Sequence, residues 1–156
     1  MEEKILYARH SPIRYLRFSF YLEIPYYVSV HLARHVHAQP YIRSQRNDRQ
    51  SEYDRNAARQ DTEVSMIWDL NAEEFMVVAN KRLCMKADPV TRKVVAEMCE
   101  TVKDTCPEIY LFLLPACTYN GGTCHEIDSC GICDKKYLDI LVSFMENFME
   151  KFDLIT

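Results

Sequence analysis

The sequence predicts a mixed fold of the α/β (α+β) class in one domain. Three observations carry this expectation. One segment alternates strictly between apolar and polar residues. Three later segments carry helix signals with apolar positions at spacings of three and four. A stretch rich in cysteine and glycine fits neither period. A length of 156 residues suits one core, and 48% hydrophobic with 27% charged residues excludes disorder as a global description.

The alternating segment runs from Tyr15 to Ile24. Leu16, Phe18, Phe20, Leu22 and Ile24 are apolar, with Arg17, Ser19, Tyr21 and Glu23 between them, the period of a half-buried strand. Pro25 follows, and proline suits a helix start because the amide hydrogen it lacks would have no helical partner there. The helix is expected over Tyr26 to Ala38, with His31, Arg34, His35 and Ala38 on one face. Residues 40–62 are polar and aperiodic and read as a long functional loop.

Asn71 opens the next helix, with Glu74 three residues on as in a capping box. Phe75, Val78, Ala79 and Leu83 give it a buried stripe, and Asn80 and Arg82 lie near its end. Asp88 before Pro89 starts another helix. Val94, Val95, Met98, Cys99 and Val102 form its inner face, and it ends before Pro107. Arg92 stands in its first turn, where a cation opposes the helix dipole; an anion sharing that helix start would account for it. Leu138, Leu141, Val142, Met145, Phe148, Met149 and Phe152 predict a last amphipathic helix, packed on the core or on a partner subunit.

No apolar stretch is long enough to span a bilayer, and no export signal opens the chain, so a cytoplasmic protein is expected. Seven cysteines, an odd number without an export signal, point to reduced thiols rather than a disulfide framework. Cys117, Cys124, Cys130 and Cys133 have the number and softness to hold a tetrahedral zinc ion, and an iron–sulfur cluster would use the same ligands. His125 could replace one sulfur. Four free thiols in a loop remain the plain alternative. With four protein ligands a metal would be structural, because no coordination position stays open.

Net charge is −4, which does not favour nucleic acid. The charge is unevenly spread, however. Residues 34–59 hold Arg34, Arg43, Arg46, Arg49, Arg55 and Arg59 against Asp48, Glu52 and Asp54, an excess of three positive charges that leaves −7 for the remainder. All six cations are arginine, whose planar fork grips phosphate or carboxylate with two hydrogen bonds. A phosphorylated small ligand, a nucleotide in particular, is the expected partner; a solvated basic loop would contain the same residues.

The segment from Arg34 to Arg46 resembles the R-H-R-x-x-S-x-N-E-x-S-x-R signature of the flavin-dependent thymidylate synthases. Arg34, His35, Ser44 and Arg46 match; Val36, Gln39, Tyr41 and Ile42 depart from it. The resemblance extends to His10–Ser11–Pro12, to Phe18 and Phe20, to Asn80–Lys81–Arg82, to Ala87–Arg92 and to Cys106–Pro107, covering roughly residues 10–115. It implies an antiparallel or mixed sheet with packed helices like that of the thymidylate synthase-complementing proteins. It also implies a homotetramer with shared active sites, in which arginines of one chain face Asn80 and Arg82 of another. The implied reaction is reductive methylation of dUMP to dTMP with methylenetetrahydrofolate, reduced FAD and NADPH. Position by position, Ser44, Arg46 and Arg92 would be catalytic and, with His31, would hold dUMP. His10, Ser11, Arg34, His35, Asn80 and Arg82 would line the flavin. The chain then divides into a synthase-like core (1–116), a metal-binding insert (117–134) and a C-terminal helix of the same domain (135–156). A pyrimidine-nucleotide enzyme with other one-carbon chemistry, such as hydroxymethylation of dUMP, is the nearest alternative. A zinc-stabilised nucleic-acid-binding module is the more distant one, disfavoured by the absence of lysine from the arginine segment and of aromatic residues regularly interleaved with it.

Overall fold

A computed structural model describes Leu6, residues 8–45 and residues 54–131. The last amphipathic helix expected from Leu138 to Phe152, together with Arg46, Arg49 and Cys133, lies outside the described residues. The chain forms two compact units, residues 2–75 and residues 76–156 with Met1.

The first unit is built on a sheet. After a short 3-10 helix, Ser11–Tyr15, strand β1 spans Arg17–Pro25, helix α1 spans Tyr26–Ala33, and strands β2 and β3 span Gln39–Ile42 and Glu63–Asn71. The strand order is β1-β3-β2 and both pairings are antiparallel. β3 is central and carries the clearest alternation: Val64, Met66, Trp68 and Leu70 are buried while Ile67 faces outward. From β1, Phe18 and Phe20 lie on the same side and pack on buried Phe75, both ring centroids 5.4 Å away. Burial of these large side chains against one another is what drives this unit together.

α1 opens as the sequence predicts. Pro25 is its N-cap, and the orphan amides of Tyr26 and Tyr27 donate to the carbonyls of Thr62 and Gln60. The helix is shorter than predicted, ending at Ala33 rather than Ala38. Gln39–Ile42 joins β3 as a strand, which Pro40 favours by disfavouring helical geometry at Gln39, and the chain has to turn before reaching it. Residues 34–38 become a turn, with the His35 amide on the Leu32 carbonyl and the Ala38 amide on the His35 carbonyl. The predicted loop over 40–62 therefore begins with a strand.

The second unit is helical among its described residues. Helix α2, Ala72–Arg82, spans the division between the units. Asn71 caps it, its side chain accepting from the Glu74 amide at 2.9 Å. The predicted stripe is buried at Phe75, Val78 and Ala79, whereas Leu83 falls beyond the helix and is half-buried. Helix α3, Pro89–Lys103, follows its N-cap Asp88, which accepts from the Thr91 amide at 2.8 Å and the Thr91 hydroxyl at 2.9 Å. Of its expected inner face, Val95, Met98, Cys99 and Val102 are buried, and Val94 is half-buried. Two short helices follow, α4 over Pro107–Tyr110 and α5 over Ala116–Tyr119. The turns after α5 rely on Gly121, Gly122 and Gly131, all at positive φ, where a side chain would be strained. Among the described residues, no helix is long and apolar enough to cross a membrane.

Candidate functional site

The described arginines of the segment are all exposed and differ in what they contact. Arg34 is the exposed C-cap of α1. Arg43 extends the β2 pairing, its amide donating to the Ser65 carbonyl at 2.9 Å, and its side chain is exposed. Neither guanidinium has an ion-pair partner among the described residues. Ser44 is half-buried beside Arg43, and Arg46 lies outside the described residues. Arg59 is committed locally: its fork binds Asp61 with bonds of 2.9 and 2.8 Å, which holds that carboxylate below its ordinary range.

Because α1 stops at Ala33, the predicted shared face of His31, Arg34, His35 and Ala38 does not form. His31 is half-buried, edge-on to the Tyr27 ring at 5.7 Å. His35 turns inward, with its side chain only 9% exposed, and its Nδ1 is 3.2 Å from Oε1 of Glu74, itself 5% exposed. The imidazole also stands edge-on to the buried Trp68 ring, 6.1 Å between centroids. The Trp68 indole nitrogen is buried and has no hydrogen-bond partner among the described residues. Burial pushes the Glu74 carboxyl above its ordinary value; nearby His37 pulls it down less strongly, and Glu73 pushes it up further.

Glu74 therefore has a different part from the one its spacing predicts. Its amide uses the Asn71 cap, but its carboxyl binds His35 in the core and completes only half of a capping box. Sequence reasoning missed both this pair and strand β3. Alternation from Glu63 to Asn71 was the signal for the strand; no local pattern signals a contact between positions 35 and 74.

At the N-terminal end, His10 and Ser11 are exposed around the start of the 3-10 helix. Arg14 in that helix forms an ion pair with Glu73, whose carboxyl is held below its ordinary range by that hydrogen bond first, with Arg9 and His37 contributing. Arg9 adopts φ 51°, a left-handed conformation uncommon for a residue with a side chain.

In the second unit, Asn80 donates from Nδ2 to the Leu114 carbonyl at 2.6 Å, tying α2 to the segment after α4. Arg82, in the last turn of α2, is half-buried. Arg92 donates from Nη1 to the Met85 carbonyl at 3.0 Å, so a backbone acceptor satisfies part of the guanidinium the sequence reading assigned to an anion. Cys117, Cys124 and Cys130 are half-buried free thiols, and Lys86 reaches the insert through an ion pair with Asp128 at 2.7 Å. Among the described residues, no three His, Cys, Asp or Glu side chains are grouped as metal ligands; Cys133, the fourth expected ligand, lies outside them.

No protein-family model matches the chain, and neither does any curated protein.

Proposed function

We propose that the chain is a flavin-dependent thymidylate synthase-like enzyme that binds a pyrimidine nucleotide through its arginine segment and works as a homo-oligomer, a tetramer by analogy with the family. What supports the reading most is the pair of exposed guanidinium groups at Arg34 and Arg43. They have no ion-pair partner among the described residues, and they stand within the Arg34–His35 to Ser44–Arg46 pattern. A phosphate is the natural acceptor for such forks.

The residues fit an FAD cofactor in part. Arg34, His10 and Ser11 are exposed donors suited to a pyrophosphate and ring edge. His35 is not: its ring is buried and bound to Glu74, so it positions the segment rather than touching a ligand. Bound and reduced, the flavin would supply the reducing equivalents for methyl formation. The chain's own residues would anchor phosphates and orient the uracil.

One observation favours the second reading, altered one-carbon chemistry on the same nucleotide class. Where the signature has its second arginine and its glutamate, this chain presents Val36 and Ile42, both exposed. A cation and an acceptor are thus missing from the surface the cofactor would use.

The deciding experiment is a thermal shift with dUMP. A ligand that binds only the native state raises its melting temperature. Millimolar dUMP should do so for the wild type and not for Arg46→Ala. An equal shift in both proteins would remove Arg46 from the site, and no shift in either would end the nucleotide reading.

A further inference from the structure

The two edges of the sheet are treated very differently. The β2 edge is four residues long and carries Pro40, which cannot donate a hydrogen bond. The β1 edge is nine residues long. Its register against β3 runs unbroken from Arg17↔Asn71 to Pro25↔Glu63, so no bulge twists it away. Apart from the terminal Pro25 it contains neither proline nor glycine. Among the described residues, no backbone hydrogen bond beyond the β3 ladder reaches Arg17–Glu23.

Such an edge presents a row of unpaired donors and acceptors, and long unprotected edges pair with other chains. The side chains agree with the backbone. On the core side, Phe18, Phe20 and Leu22 stay half-buried, while their β3 neighbours Leu70, Trp68 and Met66 are fully buried. The apolar layer therefore stops short at β1.

We propose that β1 pairs antiparallel with β1 of a second copy of this chain, about a twofold axis at Phe20. Charge complementarity selects both the occupant and the register. With the axis there, Arg17 faces Glu23 of the second copy, and the symmetric contact repeats it. Phe18 faces Leu22, Ser19 faces Tyr21, and Phe20 faces itself, so apolar meets apolar on one side and polar meets polar on the other. Moving the axis to Ser19 or Tyr21 leaves both charges opposite neutral residues. An axis between two residues sets Phe18 opposite a polar or charged residue and crosses the two faces. A twofold contact of this kind closes and leaves no further β1 edge exposed. The inference rests on the sheet alone and is independent of the flavin reading.

Sedimentation of the full-length protein tests it, with Arg17→Glu and Glu23→Arg as variants. Each variant alone sets two pairs of like charges across the axis, which should raise the dissociation constant on the order of tenfold. Mixed in equal amounts, the two variants restore both opposite-charge contacts in the heteromer. Arg17→Glu also loses an internal partner, Asp69 at 2.8 Å, but this loss is the same alone and mixed, so it cancels. The expected result is an assembled wild type, dissociated single variants and an assembled mixture. A monomeric wild type, variants that assemble like the wild type, or a mixture that stays dissociated would each overturn the proposal. If either variant fails to fold, hydrogen exchange on the wild type decides. β1 amides that are protected in concentrated protein and lose that protection on dilution support the pairing; β1 amides that exchange equally fast at both concentrations overturn it.

Discussion

The buried contact between His35 and Glu74 offers the sharpest test of how the arginine segment is held. The two side chains are 9% and 5% exposed and meet at 3.2 Å, near the long end of a good hydrogen bond. Removing one partner takes a hydrogen bond from a buried polar group, which costs about 1–3 kcal/mol. His35→Ala and Glu74→Ala should each fall in that range. The double variant should be less destabilised than the sum of the two by about 0.5–1.5 kcal/mol, the net worth of a hydrogen bond. Glu74→Gln keeps an acceptor in place and should cost less than Glu74→Ala. Urea unfolding of the four proteins measures all of these. Additivity within about 0.5 kcal/mol would refute the reasoning, since it would mean that the two groups do not stabilise each other.

The same pair makes a signed prediction about pH. Burial holds the Glu74 carboxyl above its ordinary value of 4.5, so the folded chain binds that proton more tightly than the unfolded chain does. The stabilisation this provides is complete below 4.5 and is lost as pH rises through the folded value. Glu74→Gln has no proton to lose there. Its stability relative to the wild type should rise with pH across that window.

Two further outcomes follow from the second unit. Asp88→Ala removes the cap that accepts from both the amide and the hydroxyl of Thr91 and should cost about 1–2 kcal/mol, read as a lowered melting temperature; an unchanged melting temperature would mean that α3 does not depend on its cap. Burial raises the Cys99 thiol to about 12, so with iodoacetamide at mildly alkaline pH it should be the slowest to react of the described cysteines. Peptide mapping over time checks this, and early labelling of Cys99 would show that α3 opens readily.

What the sequence made legible was what local chemistry controls. β1 announced itself through alternation, α3 through Asp88–Pro89, and the start of α2 through Asn71, whose side chain does cap the helix. The end of α1 was misplaced because spacing alone continues the pattern of three and four through Ala38, while Pro40 and pairing with β3 impose a strand just beyond it. That is a tertiary decision, as is the turning of His35 toward Glu74, 39 residues away. The candidate site was legible as composition, six arginines in one segment, but not as geometry. Arg59 pairs with Asp61 only two residues on, but that Arg34 and Arg43 stay exposed depends on the folded arrangement of the turn and of β2.

The turn that replaces the end of α1 also makes the departures from the signature testable. In residues 34–37 only His35 points inward; Arg34, Val36 and His37 are exposed, Val36 at 78%. The position where the signature carries its second arginine is therefore a surface position, and a long cation can stand there without disturbing the core. Val36→Arg should change folding stability by no more than about 0.5 kcal/mol, as surface substitutions away from special features do. If the segment binds the phosphates of a nucleotide or of FAD, the restored guanidinium should add about 0.5–1 kcal/mol, roughly a two- to fivefold gain in affinity. The gain should shrink as salt is raised, since an exposed charge is screened over about 10 Å at 0.1 M. Calorimetric titration of the wild type and of Val36→Arg with dUMP and with FAD, at low and high salt, separates the cases. A gain for FAD alone places the flavin beside residue 36, and a gain for dUMP alone places the substrate there. Stable protein with no gain for either ligand would show that this turn does not face a phosphate, and it would leave Arg43 and Ser44 to carry the nucleotide reading without it.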